Sequence, residues 1–160
     1  GIIGTAATVK SGSYAKVIEA LLPEAEVFGQ ECPMLVPLVE NGWIGEDDKI
    51  AALAVERYLE PLKKEGIDTL ILGCTHYPVL SDAISDYLGE NVTLINAGTA
   101  VAGAVEEYLK NNDSLNDTSL LGKHNFYVSD KPDSFRKQAS ILLQREIDEN
   151  KVKRVNLSDL

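Results

Sequence analysis

Hydrophobic and polar positions along this chain fall into short blocks whose period switches back and forth. Ile67 to Leu72 is a short apolar, β-branched run, the pattern of a strand buried on both faces of a parallel sheet. Ile2 to Ala6, Ala25 to Phe28 and Val92 to Ile95 read as further strands. Between them the spacing lengthens to that of helices. Tyr14, Val17, Ile18, Leu21 and Leu22 follow Ser11 or Ser13 as caps and stop at Pro23. Ile50, Leu53, Ala54, Tyr58 and Leu62 predict the buried stripe of a helix opened by Asp47 and Asp48 and ended by Gly66. Val79, Leu80, Ala83, Ile84, Tyr87 and Leu88 predict another, and Asn96-Ala97-Gly98-Thr99 turns into a helix reaching Leu109. Beyond it come a strand at Asn125 to Ser129, a helix from Pro132 to Ile147 and a strand-like run from Val152 to Leu157. This alternation predicts βα units, hence an α/β fold with a mainly parallel sheet flanked by helices.

Two stretches fit neither period. From Gln30 to Gly45, Pro33, Pro37, Gly42 and Gly45 argue against a regular element, yet Leu35, Val36, Leu38, Val39 and Trp43 are apolar. An apolar loop usually lines or covers something. Residues 111–122 are polar and aperiodic, and read as a linker.

Charge narrows the classes of function. A net charge of −10 over 160 residues argues against a nucleic-acid surface, which needs clustered Lys and Arg. No apolar run approaches the ~20 residues needed to span a bilayer, and no signal peptide is visible. Two cysteines without a C-x-x-C spacing fit reduced thiols in a cytosolic protein. The chain opens on strand-like residues, Gly1-Ile2-Ile3-Gly4-Thr5, with no initiator Met, as a piece of a longer polypeptide would.

Candidate chemistry concentrates after the Ile67 strand. Gly73 lets the chain turn and Pro78 suits the first turn of a following helix, so Cys74, Thr75 and His76 occupy a strand-to-helix turn. Open α/β sheets bind ligands at that edge. Backbone N–H groups there can stabilise a thiolate at Cys74, although a lone Cys is equally well a small core residue. His76 can tune the thiol or exchange protons with a substrate, or simply cap the turn. Glu40, after an apolar run, can fold inward and fix the tautomer of an imidazole, or remain a solvated glutamate. Thr5, Thr8 and Thr75 offer hydroxyls at two strand ends, suited to a small carboxylate. Cys32, ahead of Pro33 in an apolar loop, reads as packing. Cys74, His76 and Cys32 are too few ligands for a metal site, and no phosphate-binding glycine motif occurs.

Gly73-Cys74-Thr75-His76-Tyr77-Pro78 resembles the second signature of the glutamate racemases, within the aspartate/glutamate racemase superfamily. Ile3-Gly4-Thr5-Ala6-Ala7-Thr8-Val9 with Ser11 and Tyr14 resembles another segment of that family. So does Cys32-Pro33-Met34-Leu35-Val36-Pro37-Leu38-Val39-Glu40, and Phe126 to Leu143 resembles its C-terminal strand and helix. Asn96 departs from the more usual Asp, with little consequence expected. The resemblance implies cofactor-independent, metal-free interconversion of L- and D-glutamate for peptidoglycan synthesis, in the cytoplasm. Two cysteines would flank the α-carbon. Cys74 matches the second, with His76 assisting it, Glu40 positioning the imidazole, and Thr75, His76, Thr5 and Thr8 contacting substrate. The family's first half, which carries the other cysteine, has no counterpart here, and Cys32 aligns with a different segment.

The resemblance therefore implies one lobe of a two-lobed racemase at residues 1–98. Residues 99–160 would supply a crossover helix, the 111–122 linker and elements of the second, incomplete lobe. The expected partners are glutamate and the missing N-terminal half, with no membrane and no nucleic acid; a homo-oligomer is left open. The chain alone is expected to be inactive. A non-catalytic module that binds a small dicarboxylate or a partner protein is the alternative. A cysteine hydrolase using Cys74 and His76 has no accompanying acyl-transfer motif.

Overall fold

The computed structural model describes residues 1–45, 47–116, 122–143, 145–156 and 158. The chain divides into two compact units, Gly1–Leu115 and Asn116–Leu160. The first unit runs β1 (Ile2–Gly4), α1 (Ala6–Ser11), α2 (Ser13–Leu21), β2 (Gly29–Glu31), α3 (Leu35–Glu40) and α4 (Lys49–Lys64). It continues with β3 (Thr69–Leu72), a 3-10 turn (Tyr77–Leu80), α5 (Ser81–Leu88), β4 (Thr93–Asn96) and α6 (Ala97–Asn111). Its four strands pair in the order β2-β1-β3-β4, all parallel. Ile3 lies opposite both Gln30 and Leu72, and Leu72 lies opposite Asn96. The α/β class and parallel sheet are those the alternating periods predict.

One face of this sheet carries the main core. Ile3 from β1 and Leu70 and Leu72 from β3 are buried with Leu35, Leu38 and Val39 of α3, with α4, and with Ile84 and Leu88 of α5. The period of two in β3 is visible in its burial: Leu70 and Leu72 are sealed, whereas Thr69 and Ile71 are half-buried. Both faces of β3 are thus covered, one more completely than the other.

Several elements differ from their sequence expectation. β1 ends at Gly4 because Thr5 leaves the strand to cap α1, its side chain accepting from the Thr8 N–H. The six residues of α1 have no expectation at all, since Ala6 to Val9 carry no helical stripe of their own. β2 forms at Gly29–Glu31 rather than Ala25–Phe28, because its register is set by pairing with β1, a contact no local window contains.

The supposed irregular stretch contains α3. Pro33 precedes it, and Pro37 falls in its first turn, where a backbone N–H has no helical acceptor anyway. Gly42, at a φ of 77°, lies beyond its end.

The α4 stripe is displaced by one position. Ala51, Val55, Leu59 and Leu62 are buried, whereas Ile50 and Leu53 are 53% and 64% exposed. The helix has more apolar residues than one face can hold, and packing against α5 selects which face turns inward.

The second unit pairs β5 (Phe126–Val128) with β6 (Val152–Arg154) in parallel, beside α7 (Pro132–Leu142). Ala139, Ile147 and Val152 form its core, with Phe126, Val128 and Phe135 packed around them. α7 ends well before Ile147, which instead enters this core with its N–H donating to Ser140 Oγ at 3.2 Å. Of the 111–122 linker, residues 117–121 lie outside the described residues, as does Leu157 of the last expected strand. Among the described residues no helix is long and apolar enough to cross a membrane.

Candidate functional site

The carboxyl ends of β1, β2 and β3 converge. The Gly73 N–H donates to the Ile3 carbonyl at 2.8 Å, and the Cys32 N–H donates to the Gly4 carbonyl at 3.0 Å. The turns after these three adjacent strands therefore share one edge of the sheet. They carry Thr5 and Thr8, Cys32 and α3, and the Cys74-Thr75-His76 turn.

Gly73 makes the closest approach. A Cβ at this position would stand 2.8 Å from the Ile3 carbonyl oxygen and 3.4 Å from the Tyr14 ring. Backbone cannot yield as a side-chain end does. Gly73→Ala is expected to cost about 1–3 kcal/mol, the usual range for overpacking. Chemical denaturation measures it; a loss under about 0.5 kcal/mol, the surface-substitution range, would mean that β1 moves aside freely.

Beyond Gly73 three side chains line up. Cys74 Sγ is 3.8 Å from His76 Nδ1, within range for a bond involving sulfur. On the far side of the ring, His76 Nε2 is 3.5 Å from Glu40 Oε1. The carboxylate attracts a proton to Nε2, which leaves the Nδ1 lone pair for the thiol. Thr75 Oγ1, 3.4 Å from the same Nδ1, is a second neighbour of that nitrogen beside the thiol. The Cys74 side chain is half-buried against the core, the His76 side chain is 25% exposed and Glu40 43%. Cys74 is thus partly buried, in contrast to a fully sealed core cysteine.

The threonines stand one strand over. Thr5 Oγ1 and Thr8 Oγ1 are 3.1 Å apart, and the Thr5 hydroxyl is partly engaged in capping α1. The Thr8 methyl lies 3.6 Å from where a Cβ on Gly73 would be, so the pair borders the Cys74 turn. Asn96 ends β4 beside Leu72 and caps α6, its Oδ1 accepting from the Gly98 and Thr99 N–H groups. An Asp carboxylate could accept the same two bonds.

Cys32 is a different kind of cysteine. It is fully buried, its Sγ lies 3.6 Å from the Gln30 carbonyl, and burial pushes its thiol up to about 12. It packs and is not exposed for proton transfer. One participant lay inside the quoted signature but had no role assigned to it from the sequence. Tyr77 is completely buried and its hydroxyl donates to the Cys32 carbonyl at 2.9 Å. Burial, followed by the nearby Cys32 and Cys74 sulfurs, raises its ionisation well above the ordinary tyrosine range. The signature marks Tyr77, but nothing local in the sequence shows that its hydroxyl reaches a carbonyl 45 positions away. Among the described residues no group of three or more His, Cys, Asp or Glu could hold a metal ion.

Comparison with known proteins sets this geometry in context. Residues 1–105 match the family described as Asp/Glu/Hydantoin racemase. A glutamate racemase of Geobacter metallireducens is 44% identical over 135 residues, covering 84% of this chain and 49% of that protein. A glutamate racemase of a Sulfurihydrogenibium species is 40% identical over 160 residues, covering 100% of this chain and 56% of its own. The crystal structure of glutamate racemase from Francisella tularensis in complex with D-glutamate superposes with a TM-score of 0.88 at 32% identity. It covers 100% of this chain and 58% of that one. A glutamate racemase isoform from Bacillus anthracis gives a TM-score of 0.88 at 38% identity, over 98% of this chain and 57% of that one. The chain spans about half the length of the curated relatives it matches.

Proposed function

Because the chain belongs to the Asp/Glu/Hydantoin racemase family, we propose that its site takes part in interconverting L- and D-glutamate, with Cys74 working on one face of the α-carbon. The observation that carries this reading is the Cys74–His76–Glu40 line at the ligand-facing edge of the sheet. His76 takes the thiol proton at Nδ1, and Glu40 stabilises the ring through Nε2. The thiolate then removes the α-proton: an S–H bond forms, the C–H bond breaks, and its electron pair passes into the substrate carboxylate system. Such a carbanion forms only where fixed dipoles and excluded water stabilise it. Thr5, Thr8, Thr75 and His76 are the groups we assign to the substrate's carboxylate or amino group.

Inversion requires a second acid on the opposite face. Cys32 does not qualify, since it is buried and holds its proton up to about 12. We infer that the second thiol belongs to a portion of the racemase outside these 160 residues. Exposed Val17 and Leu21 on α2 and Val101, Val105 and Tyr108 on α6 are apolar surface of the kind that a second lobe covers. On this reading the reaction uses neither pyridoxal phosphate nor metal, and serves peptidoglycan precursor synthesis in the cytoplasm.

The test is solvent-deuterium exchange and enantiomer interconversion of glutamate, followed by proton NMR and circular dichroism. The 160-residue chain alone is expected to racemise negligibly, and a longer polypeptide that restores an opposing thiol is expected to racemise. Racemisation by the 160 residues at the rate of an intact enzyme would overturn the two-thiol reading. Tight glutamate binding unchanged in Cys74→Ala would instead favour a non-catalytic dicarboxylate-binding module.

A further inference from the structure

Glu40 and His76 belong to different elements, and 3.5 Å between them has to be maintained by something. Glu40 is the last residue of α3, whose entry is fixed at Cys32: the Leu35 N–H donates to the Cys32 carbonyl at 3.2 Å. The same carbonyl accepts the Tyr77 hydroxyl at 2.9 Å. Tyr77 is in turn joined to the catalytic turn, its N–H donating to the Cys74 carbonyl at 3.2 Å. Leu35, Leu38 and Val39 of α3 share one buried core with the Tyr77 ring. Tyr77 therefore bonds with its hydroxyl to the residue that leads into α3, at whose end Glu40 stands, and with its backbone N–H to the turn that carries Cys74 and His76.

We propose that Tyr77 is a positioning residue for the Cys74–His76–Glu40 line: its buried hydroxyl, anchored on the Cys32 carbonyl, holds the end of α3 where Glu40 meets His76. This role rests on the proposed function of that line. Tyr77 touches no reacting atom, and it acts through Glu40 and His76. Without the hydroxyl, the Cys32 carbonyl keeps only the Leu35 N–H, and α3 can drift against the turn. Glu40 then no longer selects the tautomer with the proton on Nε2, and Nδ1 ceases to be an acceptor for the Cys74 thiol.

Two readouts on the full 160-residue chain test this. The first is the tautomer of neutral His76, read from the ring-nitrogen chemical shifts of 15N-histidine-labelled protein. The sequence has two histidines, so His124 is an internal reference. The second is the rate at which iodoacetamide alkylates Cys74, with Cys32 silent because it is buried. Glu40→Gln and Tyr77→Phe are both expected to lose the Nε2–H preference while His124 stays unchanged. Both are expected to slow Cys74 alkylation roughly 3- to 10-fold, the size of one ordinary hydrogen bond. The double variant should show no further loss, because both changes act on one line.

If Glu40→Gln changes the two readouts and Tyr77→Phe leaves them at wild-type values, the positioning role is overturned and the site reading survives. If Glu40→Gln changes neither, the coupled line itself is refuted, and the role of Tyr77 falls with it. Should Tyr77→Phe fail to fold, 4-fluorophenylalanine at position 77 fills the space of the hydroxyl without donating to the Cys32 carbonyl. Loss of the Nε2–H preference of His76 then supports the proposal, and a wild-type tautomer signal overturns it.

Discussion

Cys74→Ala is expected to lower racemisation by the assembled enzyme roughly 10²- to 10⁴-fold in both directions, the ordinary worth of a positioned acid–base group. On the proposed two-thiol reading both directions suffer, because one group would remove a proton and the opposing one would return it. The thiol that Cys74 provides is half-buried, with an imidazole 3.8 Å away and a carboxylate behind that imidazole. Serine at position 74 would preserve the size but not the ease of losing a proton, so it is expected to rescue little. Circular dichroism of glutamate, started separately from each enantiomer, measures the effect. A Cys74→Ala enzyme within about tenfold of wild type would sit below that range and remove Cys74 from the chemistry. The assay must use the assembled protein, since the 160 residues alone are expected to be inactive for a separate reason.

The second large effect concerns stability at high pH. The Cys32 thiol ionises near an ordinary value of 9.0 when exposed, and at about 12 in the fold, because burial disfavours the thiolate. A raised thiol means that the unfolded chain gives up its proton first. The contribution of Cys32 is therefore complete below about pH 9 and drains away as pH climbs toward 12. Each pH unit in that window removes at most about 1.4 kcal/mol, and the whole window roughly 4 kcal/mol. The Tyr77 hydroxyl, also held protonated by burial, acts in the same direction above its ordinary value of 10.0. Denaturant midpoints for wild type and Cys32→Ala between about pH 8 and 11 separate the two contributions. The alanine variant should start lower, for lack of packing, yet decline less steeply. Parallel slopes would show that Cys32 is hydrated in the fold.

The site was partly legible without coordinates. Gly73, Cys74, Thr75 and His76 form one local unit: an apolar run, a residue without a Cβ and a proline five positions after it are enough to place a turn at a strand end. That the same strand stands beside β1 was not legible, because alternating βα units leave strand order open; the pairing of β1 with β3 and the 2.8 Å bond from Gly73 to the Ile3 carbonyl decide it. Glu40 was legible as a residue but not as a geometry. The proline-rich segment before it suggested a loop, whereas Pro37 occupies the one helical turn that does not need its N–H. The sequence also suggested the wrong face of α4, because Ile50 and Leu53 are as apolar as Val55 and Leu59.

The sequence by itself determined the class of fold, the parallel strands and the identity of the thiol turn, since each is written in spacings of a few residues. Only the tertiary structure decided where β2 pairs, which stripe of α4 is buried, that Cys32 is sealed while Cys74 is only partly buried, and that Tyr77 bonds across 45 positions to the Cys32 carbonyl. Those outcomes depend on which distant surfaces meet, and burial, pairing register and a buried hydroxyl's partner are all properties of that meeting rather than of any local stretch of chain.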